Sequence, residues 1–93
     1  MKERKRLLRT TGEQALVNSD GWRAYQAYIE LERLEPDEPL WPKRAAEAAR
    51  KSGRTQDAAV AFRRAAAAYK RVGFGPQAEI MLRLATQLEA LHS

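Results

Sequence analysis

Ninety-three residues without a cysteine and with a net charge of +5 set the first limits. A chain this short makes one small domain with a modest core, has neither a disulfide framework nor a thiolate metal site, and contains no apolar run of about 18 residues that could span a bilayer. The charge is striped: residues 1–9 carry +4, residues 12–38 carry −5, residues 39–73 carry +7 and residues 74–93 carry −1, unlike the continuous basic face of a nucleic-acid binder.

Residues 2 to about 17 are predicted to form the first helix. Lys2, Arg4, Lys5, Arg6 and Arg9 crowd its start, where positive charge opposes the helix dipole, so the first turn or two should fray. Leu7, Leu8, Thr11, Ala15 and Leu16 make its expected inward stripe. Asn18, Ser19, Asp20 and Gly21 form a turn cluster in which Ser19 or Asp20 caps the next helix. That second helix, from about Gly21 to Glu35, turns Ala24, Ala27, Tyr28, Leu31 and Leu34 inward. Trp22, Tyr25 and Ile29 form a second stripe, which either packs on a neighbouring helix or stands exposed as aromatic anchors for a partner. The run Glu35-Pro36-Asp37-Glu38-Pro39 is an acidic connector, because a residue before proline is pushed out of helical geometry.

The third helix is entered at Pro42, a residue suited to a first helical turn, and stops at Ser52-Gly53, where glycine can take the left-handed backbone. Alanines 45, 46, 48 and 49 leave little side chain between it and its neighbours. Thr55 is the expected N-cap of the fourth helix, whose inward face is Ala58, Phe62, Ala65 and Tyr69. Gly73-Phe74-Gly75-Pro76 breaks the chain again before a fifth helix, about Gly75 to Leu91. Its face against helix four is expected to be Ala78, Met81, Leu82, Ala85 and Leu88, and Ile80, Leu84 and Leu91 widen the apolar arc to roughly 200°, about twice the ordinary width. A terminal element normally turns a polar face to water, so this flank is expected to contact something: a further repeat, an adjoining domain or a second copy.

Many of these positions recur at a step of 34 residues. Ala24 and Ala58, Tyr28 and Phe62, Leu31 and Ala65, Ser19 and Gly53, Gly12 and Ala46, Ala15 and Ala49, and Pro42 and Pro76 are all so related. A 34-residue period made of two helices marks a repeat array, and on these residues the chain resembles the tetratricopeptide repeat (TPR) family over about residues 5–91. It departs from the family pattern at Trp41, one place early, and at Lys70, where a closing proline would stand, so helix four should run on. The resemblance implies an all-α, TPR-like α-solenoid of about five helices in a single domain: repeat one about 5–38, repeat two about 39–72 and a terminal helix about 75–91. It further implies that the first helix of each unit lines a groove. Carried over, the groove residues are Arg6, Arg9, Glu13 and Val17 in unit one, and Lys43, Glu47, Arg50 and Lys51 with Arg44 beside them in unit two. Family members that clamp a carboxyl tail use asparagines where Glu13 and Glu47 stand, so that activity is not carried over.

Reactive chemistry is sparse. His92 is the one histidine, and Ser19, Ser52 and Ser93 read as cap, turn and terminus, so no nucleophile–base pair can be assembled. No phosphate-binding glycine loop or calcium loop is present, and the acidic run from Glu30 to Glu38 reads as a solvated face. The expectation is a non-enzymatic, cofactor-free and metal-free scaffold that binds another protein or an acidic peptide, with a cytoplasmic location and a possible homo-oligomer through the last helix. Its binding residues would be the groove set and the apolar set Trp22, Tyr25, Ile29, Ile80, Leu84 and Leu91. Two alternatives differ in class. One is a regulatory segment of a larger bacterial signalling protein, since the alanine- and arginine-rich helices resemble those ahead of cyclic-nucleotide or PilZ-type domains. The other is nucleic-acid binding through Arg63, Arg64, Lys70 and Arg71 on one side of helix four.

Overall fold

The computed structural model describes residues 2–92, and these form five α-helices: α1 Lys2–Val17, α2 Gly21–Leu34, α3 Leu40–Lys51, α4 Thr55–Arg71 and α5 Gly75–His92. Each helix packs against its neighbours in the chain, so α2 lies between α1 and α3, and α4 between α3 and α5. The result is a slab of 37 × 30 × 17 Å, its thin dimension about that of two helices in contact. Among the described residues no helix is long and apolar enough to cross a membrane.

Small residues set the spacing. Ala45, Ala46, Ala48 and Ala49 of α3 and Ala58, Ala61 and Ala65 of α4 are all 0% exposed, so these two backbones approach with little between them. The bulk of the core is supplied by Tyr28, Leu31 and Phe62, also fully buried. Gly12 lets α1 approach α2 most closely, because a Cβ there would fall 2.7 Å from Cζ of Tyr28.

Turns close the helices through left-handed residues. Ser19 has φ 59° and Gly53 has φ 77°, the same conformation 34 positions apart, and Gly73 at φ 88° ends α4. Asp20 caps α2 by accepting a hydrogen bond from the Arg23 amide at 3.1 Å. The N-cap of α4 is Arg54, with no side-chain cap bond, and Thr55 is the first helical residue rather than the cap. The reason is local: the Arg54 amide reaches back to the Ala49 carbonyl at 2.9 Å, which leaves Arg54 at the junction. Helix α3 begins at Leu40, two residues before the expected entry at Pro42, after Pro39 in helical geometry. Pro42 still falls in the first turn, where a missing N–H costs no helical bond.

Several expectations about packing change. Leu7 is 66% exposed and Leu82 is 42% exposed. Each stands next to a true inward residue, Leu8 and Met81, and one residue along a helix turns about 100° away from its neighbour. The start of α1 is helical from Lys2, because Arg4 and Lys5 hand their charge to Glu30 at 2.8 Å and Glu35 at 3.3 Å. The acidic run is accordingly a set of ties rather than a solvated face. Glu32 accepts from Arg64 at 2.9 Å, and Arg71 reaches the Pro36 carbonyl at 3.1 Å and Asp37 at 3.8 Å.

Candidate functional site

Several of the expected groove residues lie near the buried aromatic pair formed by Tyr28 of α2 and Trp41 of α3. Tyr28 stacks on Trp41 of α3, ring centroids 6.1 Å apart at 15°. The Arg44 guanidinium lies over both rings, 5.8 Å from Tyr28 and 5.6 Å from Trp41. Burial pushes the Tyr28 hydroxyl's pKa up; Arg44 opposes that shift, and Glu13 of α1 and Glu47 of α3 add to it. One hydroxyl therefore senses charges from both α1 and α3. A second tie lies beside it. The Trp41 indole donates to Glu35 at 2.8 Å, and this bond, with Lys5 and Arg9 nearby, holds the Glu35 carboxyl below its usual range. Lys2, Lys5, Arg6 and Arg9 open around Glu35 as a shallow recess. Arg50, in the last turn of α3, lies over the Phe62 ring at 5.6 Å, so a second α3 arginine covers the second large core aromatic.

The groove residues expected from sequence divide accordingly. Arg44 lies over Tyr28, whose hydroxyl also senses Glu13 and Glu47, while Arg9 with Arg6 lies at the Glu35 end and Arg50 at the Phe62 end. Arg6, Arg9, Glu13, Arg50 and Lys51 are exposed, Lys43, Arg44 and Glu47 are half-buried, and Val17 is 78% exposed. Among the described residues, Arg6, Arg9, Lys43, Arg44, Arg50 and Lys51 form no ion pair within 4.0 Å, whereas Arg63, Arg64 and Arg71 of α4 all do. Arg63 is doubly bonded to Glu89 of α5, at 2.7 and 2.6 Å. Of the four cations considered for nucleic acid, Lys70 alone among the described residues is left unpaired.

No family model, curated protein or solved structure matches this chain. Function is therefore read from its own residues. The stripe of Trp22, Tyr25 and Ile29 lies about 60–120° round α2 from Tyr28. Trp22 and Tyr25 are stacked at 4.9 Å and 11°, and Arg54 covers Trp22 at 3.6 Å. Tyr25 and Ile29 are half-buried against the core. The stack is thus closed on its outer face by a cation, an arrangement worth about 0.5–1 kcal/mol at an exposed site. Of the apolar set on α5, Ile80 is 49% and Leu91 is 81% exposed, and Leu84 is half-buried. Tyr28 is core, as its place on the inward stripe implies; what the sequence does not show is that Trp41 is buried beside it and that Arg44 lies over both rings. The available signal is tyrosine rather than phenylalanine at position 28, since a buried phenol needs polar company. Among the described residues no cluster of His, Cys, Asp or Glu is arranged to hold a metal. Ser93 and the side chain of His92 lie outside the described residues.

Proposed function

We propose that this chain is a non-catalytic, TPR-like interaction module that takes an acidic segment of another protein in the groove flanked by α1 and α3. The repeat reading is supported by paired features at the 34-residue step: Ser19 and Gly53 in left-handed turns, and Tyr28 and Phe62 buried beneath arginines of α3. The observation that carries the binding reading is the contrast in charge pairing. Arginines on the outer side of α4 are neutralised within the fold, while among the described residues six cations of the groove set are not. Two carboxylates, Glu13 and Glu47, sit among them and leave the surface net cationic. Arg44 is held in place by two rings, so it can meet a carboxylate without losing much side-chain freedom.

Fluorescence anisotropy with a labelled glutamate- and aspartate-rich peptide tests this. Binding should weaken with salt, since the attraction is between exposed charges. It should be lost in Lys43→Glu/Lys51→Glu, whose lysines form no ion pair among the described residues. A lysine-rich peptide should not bind. Equal binding of both peptides, or no effect of the charge reversal, would refute the groove. The pairing of Arg63, Arg64 and Arg71 argues against the nucleic-acid alternative, and a mixed-sequence oligonucleotide should show no salt-dependent shift.

A further inference from the structure

We infer that the groove does not end at α3 but continues onto α5 as an apolar shelf of Ile80, Leu84 and Leu91, so that the partner segment is bipartite. It is acidic where it crosses α1 and α3, and carries bulky apolar side chains where it reaches α5. This inference rests on the groove reading above and adds the second half of its ligand.

The direction of the shelf follows from the ion pairs. Around α4, Arg64 reaches α2 through Glu32, Phe62 faces α3 beneath Arg50, and Ala59 and Ala66 are buried on the side towards α5. Arg63 lies beyond that contact, on the outer arc of α4, and holds Glu89 of α5. On α5 the stripe buried against α4 is Ala78, Met81, Ala85 and Leu88. At about 100° per residue, Glu89 falls on one side of this stripe and Ile80, Leu84 and Leu91 on the other. With Glu89 clamped to the outer side, the apolar row lies on the opposite flank of α5, the one turned towards the α3 side of α4. The two surfaces read separately from the sequence, one cationic and one apolar, are then neighbours on one side of the slab.

A second copy is the rival occupant of this shelf. The three side chains offer on the order of 300 Å² between them, well short of the roughly 800 Å² per partner of a standard stable interface. The row from Ile80 to Leu91 is also only about 16 Å long. The shelf therefore serves as part of a larger surface, and the surface it adjoins carries unpaired cations. Crossing from α1 to α5 at about 10 Å per helix spans about 20 Å, which about six extended residues cover.

Selection from a random peptide-display library on the intact chain tests this. Enriched sequences should carry Asp or Glu towards one end and Leu, Ile, Met or Phe towards the other. A labelled peptide of that kind should bind about tenfold more tightly than its copy with the apolar positions changed to serine. Ile80→Ser/Leu91→Ser should abolish that difference and leave the acidic half's affinity intact. Both side chains are exposed enough that helicity and Tm should be unchanged, and Leu84→Ser checks the shelf's centre. Enrichment of acid without apolar bias, or a full advantage retained in the double variant, would overturn the bipartite reading while the groove stands. No enrichment, or peptides indifferent to Lys43→Glu/Lys51→Glu, would overturn both. A dimer seen by light scattering and dissolved by Ile80→Ser/Leu91→Ser would give the shelf to a second copy and overturn the inference.

Discussion

Gly12→Ala should destabilise this chain, although at an ordinary position inside a helix the same change stabilises by about 1 kcal/mol. The added Cβ would lie 2.7 Å from Cζ, 3.0 Å from Cε2 and 3.0 Å from the hydroxyl oxygen of Tyr28. Carbon atoms in good contact stand about 3.5–4.0 Å apart, so something must retreat by roughly 1 Å. The ring has nowhere to go: Tyr28 is 1% exposed, stacked on Trp41 and covered by Arg44. Helix α1 must lift instead, loosening Ala15 and stretching the pairs of Arg4 and Lys5 with α2 and the connector. Overpacking of this kind costs about 1–3 kcal/mol, and subtracting the helix gain leaves a net loss near ~1 kcal/mol. In a domain of this size that lowers Tm by about 4–8 °C, readable by circular dichroism. The sign should reverse in a Tyr28→Leu background, where the ring is gone and alanine keeps only its helical advantage. A higher Tm for Gly12→Ala in the otherwise unaltered chain would refute the close approach of α1 to Tyr28.

Phe62 is 0% exposed, and Phe62→Ala should cost about 3–5 kcal/mol in a denaturant titration; an unchanged midpoint would mean α4 is not turned as described. At Gly53, with φ 77° and no atom within 4 Å of where a Cβ would stand, the constraint is backbone alone. Gly53→Val should therefore cost about 1–2 kcal/mol and Gly53→Asn much less, and equal costs would point to side-chain crowding instead. Acid should also destabilise the chain. Glu30, Glu35 and Glu89 are held below the ordinary carboxylate range, by hydrogen bonds from Arg4, from the Trp41 indole with help from Lys5, and from Arg63. With folded-state pKa values depressed, the unfolded chain takes up these protons first as pH falls. Their contribution is complete above the carboxylate range and is lost below about pH 4. Tm should be level from about pH 7 to about pH 5 and then drop, the drop being smaller in Trp41→Phe; a Tm that rises on acidification would contradict the pairing.

How much is legible in the sequence differs by feature. Helix order, the breaks at Ser19, at Glu35–Pro39, at Gly53 and at Gly73, and the burial of Ala24, Tyr28, Leu31, Ala58, Phe62 and Ala65 all follow from information within a few residues: proline and glycine backbone limits, caps and the 3.6-residue period. The misplaced residues show where that information ends. Leu7 and Leu8 are equally apolar, and periodicity leaves both near the inward arc until Gly12 and Ala15 define which way α1 faces.

The ion pairs between helices depend on contacts that no local pattern contains. Sequence spacing says that Arg63 and Arg64 point about 100° apart on α4, but not that one meets Glu89 and the other Glu32, 26 and 32 residues away. Those pairings decide which cations are tied within the fold and which are not. In the same way, the angular step along a helix separates Ile80, Leu84 and Leu91 from Glu89 on α5 without saying where either flank looks. The Arg63–Glu89 clamp fixes the Glu89 flank beside α4, because an angle around one helix acquires a direction in space only when a neighbouring helix is fixed beside it.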